Sequence, residues 1–222
     1  MEMYSAGINH NDPLMRKELM DWLHELRKQH DSDPCFIAVE WGKHAHSKVE
    51  DARDEFKELV KKQWPGVSDD LLTTLAEAMG YEGDTHREVW ADLEPIWLDD
   101  DRPSTLKIEY ELDNYAAGRL GVYKFRMGKA DPVSDPQGAL QQLSDAAHIG
   151  QQTWADNPRD ESWAKQITAA IGNNPDCEWA VVVCGSEHFA KHAGNTRDLL
   201  DKNSTCQDLP SPGRLVRRVL TL

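Results

Sequence analysis

The sequence predicts a single α/β domain in which a central, largely parallel or mixed sheet is flanked by helices. Short apolar runs typical of buried strands alternate with stretches whose apolar residues recur at helical spacing. Gly and Pro residues punctuate the boundaries between these segments. The length of 222 residues suits one large domain or two small ones, and we predict one domain over residues 1–222 with a full core.

The amino-terminal part of the chain reads as a strand, a turn and an amphipathic helix. Residues 3–8 are a short run that suits a strand, Asp12 offers an N-cap oxygen, and Pro13 fits the first helical position. The apolar run of residues 35–39 is typical of a strand buried on both faces of a parallel sheet, and it ends at Glu40. Apolar stripes predict three further helices, over residues 47–63, 71–79 and 85–97.

The carboxyl-terminal part contains the strongest strand of the chain, over residues 178–184, because four consecutive residues there are Ala or Val. A helical stretch follows it as far as residue 200, and the tail predicts a last, edge-like strand over residues 215–222. Two helices are predicted before the strongest strand, over residues 137–150 and 160–171.

The segment of residues 99–136 shows no clear period, and we interpret it as an insertion or cap on the domain. It opens with Asp99, Asp100 and Asp101, which we expect to form a solvated acidic turn. It closes with a loop-like stretch that contains two prolines, over residues 131–136.

Charge and composition exclude several classes of protein. The chain carries 25 basic and 39 acidic side chains, a formal charge of −14, which argues against a nonspecific grip on nucleic acid. No apolar run approaches the ~18 residues that a membrane-spanning helix needs, and the first residues lack the features of a signal peptide. The four cysteines show no Cys-x-x-Cys spacing and are predicted to be buried or incidental thiols. We therefore expect a cytoplasmic protein that binds neither nucleic acid nor membranes.

Three polar residues are predicted to meet at one edge of the sheet. Two predicted strands are each followed by a Gly-x-x-His motif, which ends in His10 in one case and in His188 in the other. Glu40 follows the predicted strand of residues 35–39. Ligands gather at the carboxyl ends of parallel strands. Two imidazoles and one carboxylate can hold a divalent metal such as Mn, Co or Zn with positions left open for water and substrate. Without a metal, they can act as general base, general acid and orienting partner.

Each of these candidate residues also has a simpler structural interpretation. A histidine after a strand is often a loop residue bonded to backbone, and Glu40 could cap a helix. A secondary candidate spans residues 81–86, where Asp84 suits a helix cap better than a ligand. His44 and His46 are more typical of a solvated helix start. Trp41 could line the site and raise the pKa of Glu40 by desolvation.

Two Gly-x-x-His motifs with a glutamate after the second strand resemble the TraB/Tiki superfamily, which includes the erythromycin esterases and ChaN-like proteins. The segment Arg159-Asp160-x-x-Trp163-Ala164-x-x-Ile167 is similar to the Arg-Asn-x-x-Met-Ala-x-x-Ile segment of that family. Here Asp replaces Asn and Trp replaces Met. The order of these motifs agrees with the family over most of the chain.

The resemblance implies a hydrolase with His10, Glu40 and His188 at the core of its site, and these three would be the ligands of any metal. Tiki proteins imply a metal-dependent site that cleaves an amide, whereas erythromycin esterases imply a metal-free site that opens an ester. Either way the substrate is a small molecule or a peptide. Arg159 would stabilise charge or anchor substrate, because its guanidinium is always charged; a structural ion pair with Glu40 is the alternative. ChaN-like members imply a third option, a non-catalytic module that binds haem or another small ligand.

Overall fold

One six-stranded sheet organises the chain. The structure is a computed structural model that describes residues 1–10, 12–40, 49–78, 82–99, 112–148, 157–189, 194–200 and 205–222. The strands are β1 (Glu2–Ile8), β2 (Ile37–Val39), β3 (Ile96–Trp97), β4 (Trp179–Gly185), β5 (Thr205–Asp208) and β6 (Val216–Thr221). They lie in the order β3-β2-β4-β1-β6-β5. The first four strands of this order are parallel, and β6 and β5 extend the sheet in antiparallel pairs. The predicted α/β class with a mixed sheet is confirmed.

Eight α-helices accompany this sheet within the described residues. They are α1 (Pro13–Gln29), α2 (Val49–Gln63), α3 (Asp69–Glu77), α4 (Glu82–Val89), α5 (Leu112–Met127), α6 (Pro136–His148), α7 (Asn157–Asn173) and α8 (Thr196–Leu200). A short 3₁₀ helix, Ser186–Phe189, follows β4. Helix α1 begins as predicted, because the Asp12 side chain accepts a hydrogen bond from the Leu14 amide at 2.9 Å and Pro13 opens the first turn. No helix in the described part of the chain is long and apolar enough to cross a membrane.

The central strands are apolar on both faces because helices cover both sides of the sheet. Val39 and Val181 lie in a core with α1 and α4. On the opposite face, Ala38 and Val182 lie in a core with α7, where Trp163 is fully buried. This two-sided burial explains why strands β2 and β4 read as continuous apolar runs in the sequence.

A third apolar cluster joins α2, α3, α5 and α6 and includes Phe56, Leu71, Tyr123 and Leu143. Helix α5 falls within the segment predicted to be an insertion or cap, and it packs against α2 and α6. Residues 100–111 of that segment lie outside the described residues. Its role as a cap stays a prediction.

The sequence prediction differs from the structure at three strands, β3, β5 and β6. The helix predicted over residues 85–97 is wrong at its end, because α4 stops at Val89 and residues 96–97 form β3. Pro95 explains this, since a proline drives the preceding residue towards extended backbone. The tail strand exists as β6, but it is not at the edge: β5 covers it. The polar sequence of β5, Thr-Cys-Gln-Asp, carries no apolar signal that could have revealed it.

The cysteines also differ from the prediction, because Cys35 and Cys177 form a disulfide. The other two cysteines, Cys184 and Cys206, are not part of this disulfide. The bond joins the segments that precede β2 and β4, which are neighbours in the sheet although 142 residues separate the two cysteines. Disulfides are rare in cytosolic proteins. The cysteines therefore no longer support the expectation of a cytoplasmic protein.

We expect the disulfide to contribute about 2 to 5 kcal/mol to the free energy of unfolding, because it closes a long loop in the unfolded chain. The double variant Cys35→Ala/Cys177→Ala should lower Tm measurably, whereas Cys206→Ala should leave it nearly unchanged. Thiol titration of the unfolded, unreduced protein should find only two thiols, those of Cys184 and Cys206. A titration that finds all four would show that the bond does not form.

Candidate functional site

The parallel register brings the carboxyl ends of four strands to one edge of the sheet. Ile8 at the end of β1 lies beside Gly185 at the end of β4. Val39 at the end of β2 lies between Val183 of β4 and Trp97 of β3. Residues that follow these strands therefore emerge side by side, as expected for a site in an α/β sheet.

Each of the four strands delivers one polar side chain to this edge. His10 follows β1, Glu40 directly follows β2, Asp99 follows β3, and His188 lies in the 3₁₀ helix after β4. The structure thus brings together His10, Glu40 and His188, the three residues that the sequence predicts. Asp99 is an addition that the sequence analysis missed.

Gly185 lies at the point where these side chains converge. A Cβ atom at Gly185 would lie 3.1 Å from Nε2 of His10, 3.3 Å from Oε2 of Glu40 and 3.6 Å from Cδ2 of His188. Gly7, the glycine of the first motif, is constrained more tightly, because its Cβ would lie only 2.7 Å from the backbone Cα of Ser186. Gly7 therefore allows the close approach of β1 to the turn after β4, whereas a Cβ at Gly185 would crowd the side chains of His10 and Glu40.

The carboxylate of Glu40 is almost fully buried, with 4% of its side chain exposed. Its Oε2 accepts a hydrogen bond from the Gly185 amide and lies 3.1 Å from Nε2 of His10. Its Oε1 lies 2.6 Å from Nη2 of Arg159. Burial by itself would raise the pKa of Glu40, but the charges of His10 and Arg159 outweigh burial and hold the pKa well below its usual range. The hypothesis that desolvation raises this pKa is wrong in its net direction, and Trp41 lies outside the described residues.

Arg159, near the start of α7, lies between two carboxylates. It binds Asp99 through Nε at 3.0 Å and Nη2 at 2.6 Å, in addition to Glu40. Its guanidinium lies over the Trp163 ring, 4.4 Å from the centroid. Burial alone would lower the pKa of Arg159, but the two carboxylates outweigh burial and raise it. Of the two predicted roles, these contacts favour the ion pair with Glu40 over a direct role on substrate.

Asp99 is not the solvated residue that the sequence analysis expected. Only 7% of its side chain is exposed, and it also accepts a hydrogen bond from Nε1 of Trp163 at 3.0 Å. Three consecutive aspartates gave no local reason to single one out. Its position two residues after the end of a strand was hidden, because β3 was predicted as helix. Residues 100 and 101 lie outside the described residues.

His188 is held by a carboxylate that the sequence analysis noted only as a departure from the family motif. Nδ1 of His188 lies 2.9 Å from Oδ1 of Asp160, which is 1% exposed. The same oxygen accepts hydrogen bonds from the backbone amide and the hydroxyl of Thr196. The ring of Trp163 lies 4.3 Å from that of His188. With these contacts, the edge of the His188 ring that carries Cδ2 faces Gly185.

His10 is the most accessible member of the site, with 27% of its side chain exposed. Helices α5 and α6 hold its loop. Arg119 donates a hydrogen bond to the His10 carbonyl at 2.9 Å, and Asn9 donates to the Ala147 carbonyl at 2.6 Å.

Of the secondary candidates, His86 is buried in α4. The side chains of residues 81–85, His44 and His46 lie outside the described residues.

The donor set of two imidazoles and one carboxylate is of a kind that binds divalent transition metals. Within the described residues, however, no group of three or more His, Cys, Asp or Glu side chains is arranged to hold a metal ion. Both oxygens of Glu40 are already bonded, and the Arg159 guanidinium beside them would repel an added cation. A metal at these residues would therefore compete with the partners that Glu40 already has.

No protein-family model, curated protein or solved structure matches this chain. The resemblance to the TraB/Tiki superfamily therefore stays a prediction. The chemistry of the site has to be inferred from its own geometry.

We expect Glu40 to make the fold sensitive to acid. The pKa of Glu40 is lower in the folded protein than its ordinary value of 4.5, so the folded state favours the ionised form. This contribution to stability is complete above about pH 4.5 and is lost as pH falls through the folded-state pKa. Glu40→Gln should cost about 1 to 3 kcal/mol at pH 7 and should flatten the dependence of stability on pH below 4.5.

Urea denaturation of the two proteins between pH 7 and pH 3 measures this effect. Glu161→Gln is the matched control, because Glu161 is an exposed side chain on α7 and should change neither quantity. Equal acid sensitivity in wild type and Glu40→Gln would contradict the expectation.

Proposed function

We propose that this protein is a hydrolase that activates water at His10, Glu40 and His188 to cleave an ester or amide bond. The observation that carries the proposal is the convergence of two imidazoles and a buried carboxylate around Gly185. In hydrolysis, water has to lose a proton and the leaving group has to gain one, and imidazoles can do both near neutral pH. The resemblance to the TraB/Tiki superfamily supports the same reaction class.

The contacts of the site suggest how these groups divide the work. The two histidines act as general base and general acid. Glu40, with its negative charge maintained by Arg159, stabilises His10 when that imidazole is protonated. Arg159 is neutralised by Glu40 and Asp99, so we assign it to holding the carboxylates in place. The accessible side of His10 is where a small-molecule or peptide substrate would enter.

The bond between Glu40 and Arg159 favours the metal-free form of this proposal, akin to an erythromycin esterase. In the metal-dependent form, a Mn, Co or Zn ion would supply an activated water, and the ion would compete for Glu40 with Arg159, His10 and the Gly185 amide. Haem or small-ligand binding without turnover is the remaining alternative from the sequence.

Replacing either histidine by alanine should lower hydrolysis at least about 100-fold, because general acid–base catalysis contributes that much or more. His10→Ala and His188→Ala are tested on a panel of nitrophenyl esters and fluorogenic peptides, with circular dichroism to verify folding. His24→Ala is the control, because His24 is an exposed histidine on α1. Unchanged activity in both site variants would refute the proposed function.

Treatment with a chelator separates the two forms of the proposal. We expect hydrolysis to survive EDTA in protein that elemental analysis shows to be substoichiometric in transition metals. Activity that is lost with EDTA and restored by Mn, Co or Zn would establish the metal-dependent form. A Soret band on titration with haem, without hydrolysis of any substrate, would favour the binding module.

A further inference from the structure

We infer that His188 is the general base of the proposed site and that Asp160 is the positioning residue that makes it one. The inference rests on the proposed function and adds to it by assigning separate roles to the two histidines. It follows from the hydrogen bonds of each ring and from the side of each ring that lies towards Gly185.

Asp160 determines which nitrogen of His188 carries the proton. Oδ1 of Asp160 already accepts a hydrogen bond from the Thr196 amide, at 2.7 Å, and a backbone amide can only donate. The same oxygen therefore acts as an acceptor for Nδ1 of His188, 2.9 Å away. In the neutral imidazole the proton then lies on Nδ1, and Nε2 is left as the acceptor.

The atom of His188 nearest to the Cβ position of Gly185 is bonded to the acceptor nitrogen. Cδ2 of His188, the carbon bonded to Nε2, lies 3.6 Å from the Cβ position of Gly185. His10 differs, because its atom nearest to the Cβ position of Gly185 is a nitrogen, Nε2. The same nitrogen lies 3.1 Å from Oε2 of Glu40. An ionised carboxylate only accepts, so Nε2 of His10 carries a proton. His10 therefore offers a donor at this point, and His188 offers an acceptor one bond away from its own atom nearest to the point.

Rigid elements hold this arrangement. Asp160 lies in the first turn of α7, and Thr196 begins α8 and is fully buried. Trp163, one turn further along α7, lies against the His188 ring. A catalytic base held by side chains that are themselves fixed by helices loses little entropy when the substrate binds.

The reaction that follows is balanced. Nε2 of His188 takes a proton from water while the water oxygen forms a bond to the carbonyl carbon of the ester or amide. The bond from that carbon to the leaving oxygen or nitrogen then breaks, and the leaving atom takes up the proton on Nε2 of the protonated His10 imidazole. Water is added across the cleaved bond, and both histidines return to their starting forms once a proton has passed between them and solvent.

The isosteric variant Asp160→Asn tests the role of Asp160. The amide oxygen can still accept from Thr196, but the amide group can also donate to Nδ1 of His188 and so favour the wrong tautomer. We expect kcat to fall about 10²- to 10⁴-fold with KM nearly unchanged. Thr196→Val, which removes one donor to Asp160 and keeps the carboxylate, should lower kcat by a smaller factor. Asp21→Asn, at an exposed position on α1, should have no effect.

Long-range ¹H–¹⁵N spectra of the histidine side chains test the tautomer without reference to activity. The His188 signals are assigned by comparison with His188→Ala, and we expect the Nδ1–H tautomer in the wild-type protein. The Nε2–H tautomer at His188, or full activity in Asp160→Asn, would overturn the inference even if the protein is a hydrolase. The Nδ1–H tautomer in a protein that hydrolyses nothing would support the positioning role of Asp160 and overturn the base and the proposed function together.

Discussion

The buried charge of Glu40 is the constraint on which the rest of the site depends. A carboxylate at this depth stays ionised only if nearby groups replace the water that it has lost. Three distant parts of the chain provide them: Arg159 of α7, His10 after β1 and the amide of Gly185 at the end of β4. The sheet edge and the helix that covers it are therefore tied together at one group, and the movement of any one member would leave the buried charge of Glu40 with one partner fewer.

One turn of α7 carries both the residue that binds Glu40 and the residue that binds His188. Arg159 reaches Glu40 and Asp99, while the next residue, Asp160, reaches His188 on the other side. Trp163 contacts both groups, since the guanidinium of Arg159 lies over its ring and His188 packs against it. The ion-pair network and the carboxylate–histidine pair are thus aligned by the same helix, which makes the orientation of α7 relative to the sheet a determinant of the chemistry.

The parts of the fold and of the site that could be predicted are those that leave a local pattern in the sequence. The capped start of α1 at Asp12 and the apolar runs of β2 and β4 were visible because capping and two-sided burial leave a signal within a few residues. The convergence of His10, Glu40 and His188 followed from the general rule for parallel strands. Asp99 and the disulfide between Cys35 and Cys177 left no such signal, because each depends on which strands are neighbours.

The sequence by itself determined most of the alternation of strands and helices, and it placed His10, Glu40 and His188 shortly after strands, because both features are encoded over a few consecutive residues. Only the tertiary structure decided the partner of each polar residue. Arg159 lies 119 residues from Glu40 and 60 from Asp99 along the chain. Asp160 lies 28 residues from His188. Hydrogen bonds and charge interactions act over a few ångströms in space, so which groups met, and in which direction the pKa of Glu40 moved, depended on the strand order and on the packing of α7 against the sheet.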